Sequence, residues 1–477
     1  MNILVSRRSF LAGATAFSLA GCMNGRSGLL AGRPKLKFGV LSDIHVTDWA
    51  STEVFRKALR YYRDAGADAV LIAGDLADHG LQPQLENVAR AWFEVFPDDR
   101  GADGAKVEKL FVYGNHDPEG LGYRDRFMDK AFAVHGISYE AAAKLQLKAV
   151  GLDKAWERCF REPYAPIYTK NVKGYDFVGA HWDSWNGVRG LEDWFRTSRS
   201  KIDTSRPFFY FQHAHPKDTV YGPWAWGHDS GQSTRALSPY PNAVAFSGHS
   251  HTTLTDERSV WRGAFTSVGT ASLSYTCVEG PRDNAITLNN ATREHLSIRQ
   301  GQLVSVYDDR IVIERRDFSR DEPIDAAWLL ELPARASSFA VRAARAAAPA
   351  FPAGTVADVA FSQTAAPDGK TVEQVTVSFP PALANPAARP YDYEVRLETR
   401  QEDVELVAAT HRVYSPSAAL PRRHDAEVKA ASCAFARADL PKSGEYRFAV
   451  VPLNSYGVKG SAVYSPWAVP PAEKKRR

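Results

Sequence analysis

Residues 110–117 read LFVYGNHD. Four apolar residues run into Gly114, and Asn115, His116 and Asp117 follow at once. A short apolar run halted by glycine reads as a buried strand that ends in a turn. An amide, an imidazole and a carboxylate at such an end form either an Asp-capped Gly-Asn turn or part of a site. The choice depends on what the neighbouring strands carry at their own ends.

Upstream, LKFGVLSD (36–43) and DAVLIAGD (68–75) repeat the pattern of an apolar run followed by a carboxylate. Between them, TEVFRKALRYYRDAG (52–66) puts Phe55, Leu59 and Tyr62 on one helical face, with Gly66 placed to cap its end. A second helix over about 84–96 leads into 110–117. This β-α-β-α-β order predicts a sheet covered on both faces, with any site at the carboxyl ends of its strands. Residues 121–165 read as a helical insertion. YDFVGAHWD (175–183), RPFFYFQHAH (206–215) and NAVAFSGHSH (242–251) repeat the strand-then-polar texture, and 261–275 and 302–318 read as later strands.

Taken in order, the strand ends carry Asp43 and His45, then Asp75 with Asp78 and His79, then Asn115 to Asp117, then His213 and His215, then His249 and His251. These oxygen and imidazole donors suit Zn, Mn or Fe. A lone Asp-x-His occurs often by chance; five such groups at successive strand ends do not.

DIH, GDLAD, GNHD, the histidine after FFYFQ, and GHSH together resemble the signature of calcineurin-like metallophosphoesterases, over about residues 36–254. The resemblance implies an α/β fold, a two-sheet sandwich flanked by helices with a dinuclear centre of divalent transition metal ions. It implies hydrolysis of a phosphate monoester or diester by a metal-bridging hydroxide. It also implies that Asp43, His45, Asp75 and His251 hold one cation, and that Asp75, Asn115, His213 and His249 hold the other. Two cations about 3.5–4 Å apart need a shared anion to offset their repulsion, which suits Asp75. In the family's pattern His116 stands over the substrate phosphate, and Asp117 is expected to orient it. His213 is the expected ligand of the QHAHP segment, because the apolar run ends directly before it, and His215 is expected to line the pocket. Asp78 stands where purple acid phosphatases carry a ligating tyrosine, which argues against a purple ferric centre. Asp78 and His79 are expected to support the ligands.

The aromatic residues Trp182, Trp185, Tyr221, Trp224 and Trp226 cluster near ligand segments. They either stack a base, a sugar or an acyl chain of the substrate or pack as loop anchors.

The ends of the chain carry different signals. MNILVSRRSF followed by LAGATAFSLAGC resembles a twin-arginine export signal ending in a lipoprotein processing site, with Cys22 lipidated. The apolar stretch is too short to span a bilayer. The expected organisation is a signal over 1–22, a linker over 23–33, the phosphoesterase domain over 34–318, a linker over 319–353, a β-sandwich over 354–470 and a basic tail over 471–477. The sandwich is read from alternating runs such as KTVEQVTVSF and EYRFAVVPLNSYG, which resemble fibronectin type III strands. An exported protein of the periplasm or cell envelope, held to a membrane by its lipid, follows from the signal. Cys159, Cys277 and Cys433 show no CxxC spacing and read as buried hydrophobes. A net charge of +4 over 477 residues does not point to nucleic acid. No GxxxxGK phosphate loop is present. Two rival readings are a surface binding protein with a silent phosphoesterase-like domain, and a phosphodiesterase of phospholipids or sphingolipids. The oligomeric state is not encoded in any motif.

Overall fold

The computed structural model describes residues 32–122, 136–223, 225–278, 287–288, 297–333, 346–365, 371–383, 389–402 and 404–471. Residues 1–31, with Cys22 and the export signal, lie outside these, as do Trp224 and residues 472–477.

Continuous apolar runs become the central strands of two packed sheets. In the first sheet β1 (Leu36–Leu41), β2 (Ala69–Ala73) and β3 (Glu108–Val112) run parallel and side by side. In the second, β4 (Ile167–Val172) and β5 (Tyr175–Ala180) form a hairpin, and β5, β6 (Phe208–Phe211), β7 (Ala243–Ser247) and β9 (Thr266–Gly269) are parallel. The short β8 (Val260–Arg262) closes that edge, so 261–275 holds two short strands rather than one. Phe38 of β1 sits where the sheets meet, its ring 5.2, 4.9 and 5.8 Å from those of Phe177, Phe209 and Phe246. Strands covered on both faces are mostly apolar along their length, which is why the runs of β1, β2, β6 and β7 do not alternate.

Helices cover the outer faces. α1 (Glu53–Asp64) and α2 (Gln82–Val95) bury Phe55, Leu59, Tyr62, Leu85 and Trp92 against the first sheet, and the Tyr62 hydroxyl donates to the Val40 carbonyl at 3.1 Å. A short turn of helix, α3 (His116–Glu119), follows β3. Between residues 136 and 160 lie α4 (Tyr139–Leu145), α5 (Leu147–Val150) and α6 (Leu152–Phe160). α7 (Leu191–Ser198) and α8 (Gln232–Leu237) cover the second sheet through Phe195 and Leu237, with Tyr240 just past α8 packed beside them.

The chain then returns. β10 (Thr287–Leu288) precedes the hairpin of β11 (Gln300–Val306) and β12 (Arg310–Asp317), and β11 lies antiparallel beside β1. The first sheet does not end at Phe318. β13 (Glu322–Pro323) and β14 (Trp328–Glu331) both pair with β12, so part of the expected linker over 319–353 belongs to the sheet. Their shortness hides them: one buried position, Leu330, is too little to show a period.

The C-terminal part is all-β. β15 (Asp358–Ala365), β16 (Thr371–Phe379) and β19 (Ala431–Ala436) form one sheet, in that order. β17 (Asp392–Gln401), β18 (Val404–Tyr414), β20 (Glu445–Leu453) and β21 (Val463–Tyr464) form the other, ordered β18-β17-β20-β21 with β10 beside β18. Val375, Val377, Tyr393, Val395, Phe435 and Phe448 fill the space between them.

Arg258 links the two parts of the chain. Its guanidinium pairs with buried Asp256 through contacts of 3.0 and 2.6 Å and lies 4.9 Å from the ring centre of Tyr391. Both side chains of the ion pair are buried. Asp256→Ala is therefore expected to destabilise the chain by about 3–5 kcal/mol, since it strands a buried charge. Denaturant unfolding of the full chain measures this as a lowered midpoint; an unshifted midpoint would mean that water reaches Arg258.

Candidate metal centre

The strands deliver their polar ends to one place. The backbones after β1 and β2 are stitched by His45 N–H to the Asp75 carbonyl and Val46 N–H to the Leu76 carbonyl, both 3.0 Å. Across the sheets, Trp182 N–H donates to the Tyr113 carbonyl at 3.0 Å. Asp43, His45, Asp75, His249 and His251 all adopt positive φ, between 44° and 70°. Each such non-glycine residue costs on the order of 1–3 kcal/mol, and clusters of them mark functional sites. Two glycines make the fit possible. A Cβ on Gly114 would lie 2.2 Å from Asp75 Oδ1, and one on Gly248 would lie 1.8 Å from Ser42 Oγ and 2.4 Å from Asp43 Oδ2.

The outer nitrogens of three histidines face acceptors. His213 Nδ1 meets the Ala73 carbonyl at 2.8 Å, His251 Nδ1 the Tyr275 carbonyl at 2.9 Å, and His45 Nδ1 the Asp78 carboxylate at 2.9 Å. A carbonyl or carboxylate only accepts, so these nitrogens carry protons, and in the neutral form of each ring the inner Nε2 presents a lone pair. Those lone pairs point at further acceptors. His213 Nε2 lies 3.1 Å from Asp75 Oδ2, 2.9 Å from Asn115 Oδ1 and 3.1 Å from His249 Nδ1. His251 Nε2 lies 3.0 Å from Asp43 Oδ1 and 3.3 Å from His45 Nε2. His45 Nε2 is 3.6 Å from the same Asp75 Oδ2. Among the described residues, buried Asp43 Oδ1 meets no hydrogen-bond donor other than the imidazoles that face it. Acceptors turned on acceptors repel unless positive charge lies between them.

This donor set fits two divalent cations. Asp43, His45 and His251 converge within 4.8 Å of one another, and so do Asp75, His213 and His249. Asp75 Oδ2 approaches both groups, where a shared anionic ligand belongs. The protonation preferences agree. Burial raises the Asp43 carboxyl, but His251 and His213 outweigh it and hold it below the ordinary carboxylate range. Burial also raises Asp75, and His213 and His116 overcome that and hold it low. Burial lowers His213, yet Asp75 and Asp43 raise it to about 9. Burial, with His213 beside it, lowers His249 to about 3. With Nδ1 bonded to the Ala73 carbonyl, the proton that Asp75 and Asp43 favour on His213 lies at Nε2, facing Asp75, where a cation would otherwise supply the positive charge.

Asp117 does not serve as expected. Its carboxylate accepts three backbone amides, from Leu76 at 3.2 Å, Ala77 at 2.8 Å and Gly114 at 2.7 Å, and so clamps the ends of β2 and β3 together. Burial and the nearby Asp75 raise it to about 7. His116 is positioned instead by Asp78 and Asp75: its Nδ1 meets the Asp78 carbonyl at 2.7 Å, and its amide donates to Asp75 Oδ1 at 2.9 Å. Its ring lies 4.6 Å from that of His45. The short turn of α3 sets Asp117 beneath the loop after β2, so its carboxylate faces the Leu76 and Ala77 amides as well as that of Gly114.

Asp78 supports the ligands, holding His45 through one oxygen and His79 Nδ1 through the other at 2.9 Å. Tyr275 was not foreseen. Its carbonyl sets the tautomer of His251 and its ring lies 4.1 Å from the His251 ring. Only its place just past β9 could have drawn notice.

Of the residues expected at the substrate, His215 and Tyr221 are misplaced. His215 is buried with both nitrogens engaged, by Ser247 Oγ and Ser250 Oγ at 2.8 Å each. Burial drives its pKa well below the ordinary value. Tyr221 is buried too, with its ring 5.2 Å from that of His215. Trp182, Trp185 and Trp226 do reach the centre, their rings 6.0, 5.4 and 4.4 Å from that of His249. Trp224 lies outside the described residues.

Residues 36–253 match the model of the family described as calcineurin-like phosphoesterase. The two packed sheets are the α/β sandwich of metallophosphoesterases, extended by the C-terminal all-β sheets. Solved structures similar to the chain include a dimetal phosphatase from Danio rerio, at 14% identity over 61% of this chain and 99% of that one, with a TM-score of 0.35. GAP50, the anchor in the inner membrane complex of Plasmodium, is 13% identical over 63% of this chain and 89% of that one, with a TM-score of 0.35. An archaeal phosphodiesterase is 11% identical over 61% of this chain and 100% of that one, with a TM-score of 0.23. No curated protein sequence matches the chain.

Proposed function

We propose that this chain, a phosphoester hydrolase built on a calcineurin-like phosphoesterase domain, uses two divalent cations (Zn, Mn or Fe) held by the seven residues at its strand ends. Asp43, His45, Asp75 and His251 hold one, and Asp75, Asn115, His213 and His249 hold the other. The observation that carries this reading is the convergence of histidine Nε2 atoms and carboxylate oxygens on Asp75 Oδ2. When bound, the cations supply Lewis acidity toward the phosphate oxygens and lower the pKa of the attacking water.

The chain's own residues do the rest. Asn115 contributes an oxygen without a charge, which limits repulsion of an anionic substrate. Asp78 and Asp117 keep the loops after β1, β2 and β3 in register. His116, held at Nδ1 by the Asp78 carbonyl, delivers a proton from Nε2 to the leaving oxygen. The complete donor set counts against a silent, binding-only domain.

The rest of the chain fits an enzyme of the bacterial envelope. The SRRSFL and LAGC segments support twin-arginine export and lipidation at Cys22, and with them a periplasmic or membrane-held enzyme. Among the described residues no helix is long and apolar enough to cross a membrane. The sheet orders β15-β16-β19 and β18-β17-β20-β21 support a fibronectin type III-like sandwich.

Hydrolysis of p-nitrophenyl phosphate and bis(p-nitrophenyl) phosphate by the full chain, with Mn or Zn and with chelator, tests the reading. Metal-dependent release of nitrophenol from one or both is expected, and the preferred ester assigns the class. No turnover of either with two cations bound would count against hydrolysis of small phosphoesters and favour a lipid substrate or the binding-only reading.

A further inference from the structure

Among the described residues, the exposed tryptophans are Trp185 and Trp226, at 51% and 42% exposure. Both stand beside the same cation ligand. The Trp226 ring stacks on that of His249 at 4.4 Å and 27°, and Trp185 lies 5.4 Å from it at 51°. Large indoles left in water cost free energy unless something covers them.

Both are also held still. Trp182, which is buried, packs edge-on against Trp185 at 4.9 Å. The Trp185 turn closes through Gly187 N–H to the Ser184 carbonyl at 3.0 Å. The Trp226 loop is pinned by His215 N–H to the Gly227 carbonyl at 2.8 Å. Gly227, at a φ of 89°, lets that loop lie against His249: a Cβ there would meet His249 Cδ2 at 3.3 Å. The two loops are joined by a hydrogen bond from Ser230 Oγ to the Asn186 carbonyl. Fixed aromatic faces bind flat rings without first losing rotamer freedom.

We infer that Trp185 and Trp226 form a stacking subsite for a planar ring, an aryl or nucleobase group carried by the phosphoester whose phosphate sits at the cations. The inference rests on the phosphoesterase reading above. A saturated ring of the same size gains burial but no face-to-face contact, so the subsite prefers the flat one.

Calorimetric titration of the metal-loaded full chain with phenylphosphonate and cyclohexylphosphonate tests this, because neither P–C bond is hydrolysed. Phenylphosphonate is expected to bind roughly tenfold tighter, the lower range of base–aromatic stacking. Trp185→Ala and Trp226→Ala, each with its cation content measured, are each expected to erase most of that preference, and Trp226→Phe to keep it. Equal affinity of the two ligands for the native chain would overturn the inference while leaving the phosphoesterase reading intact. So would a preference that survives Trp185→Ala, or a Trp226→Ala variant whose only defect is lost cations. Binding of neither phosphonate to the loaded chain would bring down both.

Discussion

Asp75→Asn is expected to lose at least one of two bound cations and to lower turnover about a thousandfold or more. Asparagine keeps the shape of the side chain and an oxygen able to accept the His116 amide, now 2.9 Å from Asp75 Oδ1. What it removes is the negative charge at the carboxylate oxygen that comes nearest to both His45 and His213, at 3.6 and 3.1 Å against 3.9 Å to each for Asp43 Oδ1. Two dications at such separations repel strongly, and a neutral amide offsets none of that repulsion. Loss of both charge stabilisation and the activated water accounts for the size of the effect. Metal analysis and steady-state kinetics on the same preparation check it. A variant that retains two cations and native turnover would show that Asp75 is not shared.

His116→Gln is expected to behave differently. Its cation content should stay at the native value while kcat falls about 10²- to 10⁴-fold, the range for loss of a general acid. The loss should depend on the leaving group. Nitrophenolate leaves without a proton, so its esters should suffer least, and alkyl esters most. Steady-state kinetics on an aryl and an alkyl ester of the same phosphate resolves this. His116 also approaches His45 and Asp78 closely enough to complete a cluster of three donors. A fall in bound metal on His116→Gln would therefore make His116 a ligand rather than an acid.

The sheets were legible because strands buried on both faces cannot alternate, and runs such as DAVLIAGD carry that signature without help from context. The ligands were legible for a related reason. Polar groups are excluded from the strands and collect where they end, so Asp43, Asp75, Asn115, His213 and His249 stand out against apolar runs. What could not be read is what backbone groups do. The three amides that occupy Asp117, and the carbonyls of Ala73, Asp78 and Tyr275 that set three imidazoles, have no letter of their own in the sequence. Aromatic residues were ambiguous for another reason. Composition alone cannot separate Tyr221, packed against His215, from Trp226, stacked over His249 with its other side in water. β13 and β14 were missed because two and four residues are too few to show a period.

The most direct test of the account is the number and coupling of cations in the native chain, measured by elemental analysis and by electron paramagnetic resonance after loading with Mn. Two ions per chain with an exchange-coupled spectrum are predicted, because Asp75 Oδ2, which lies near both His45 and His213, would be shared between them. A single ion, or two that give the spectrum of isolated Mn, would contradict it.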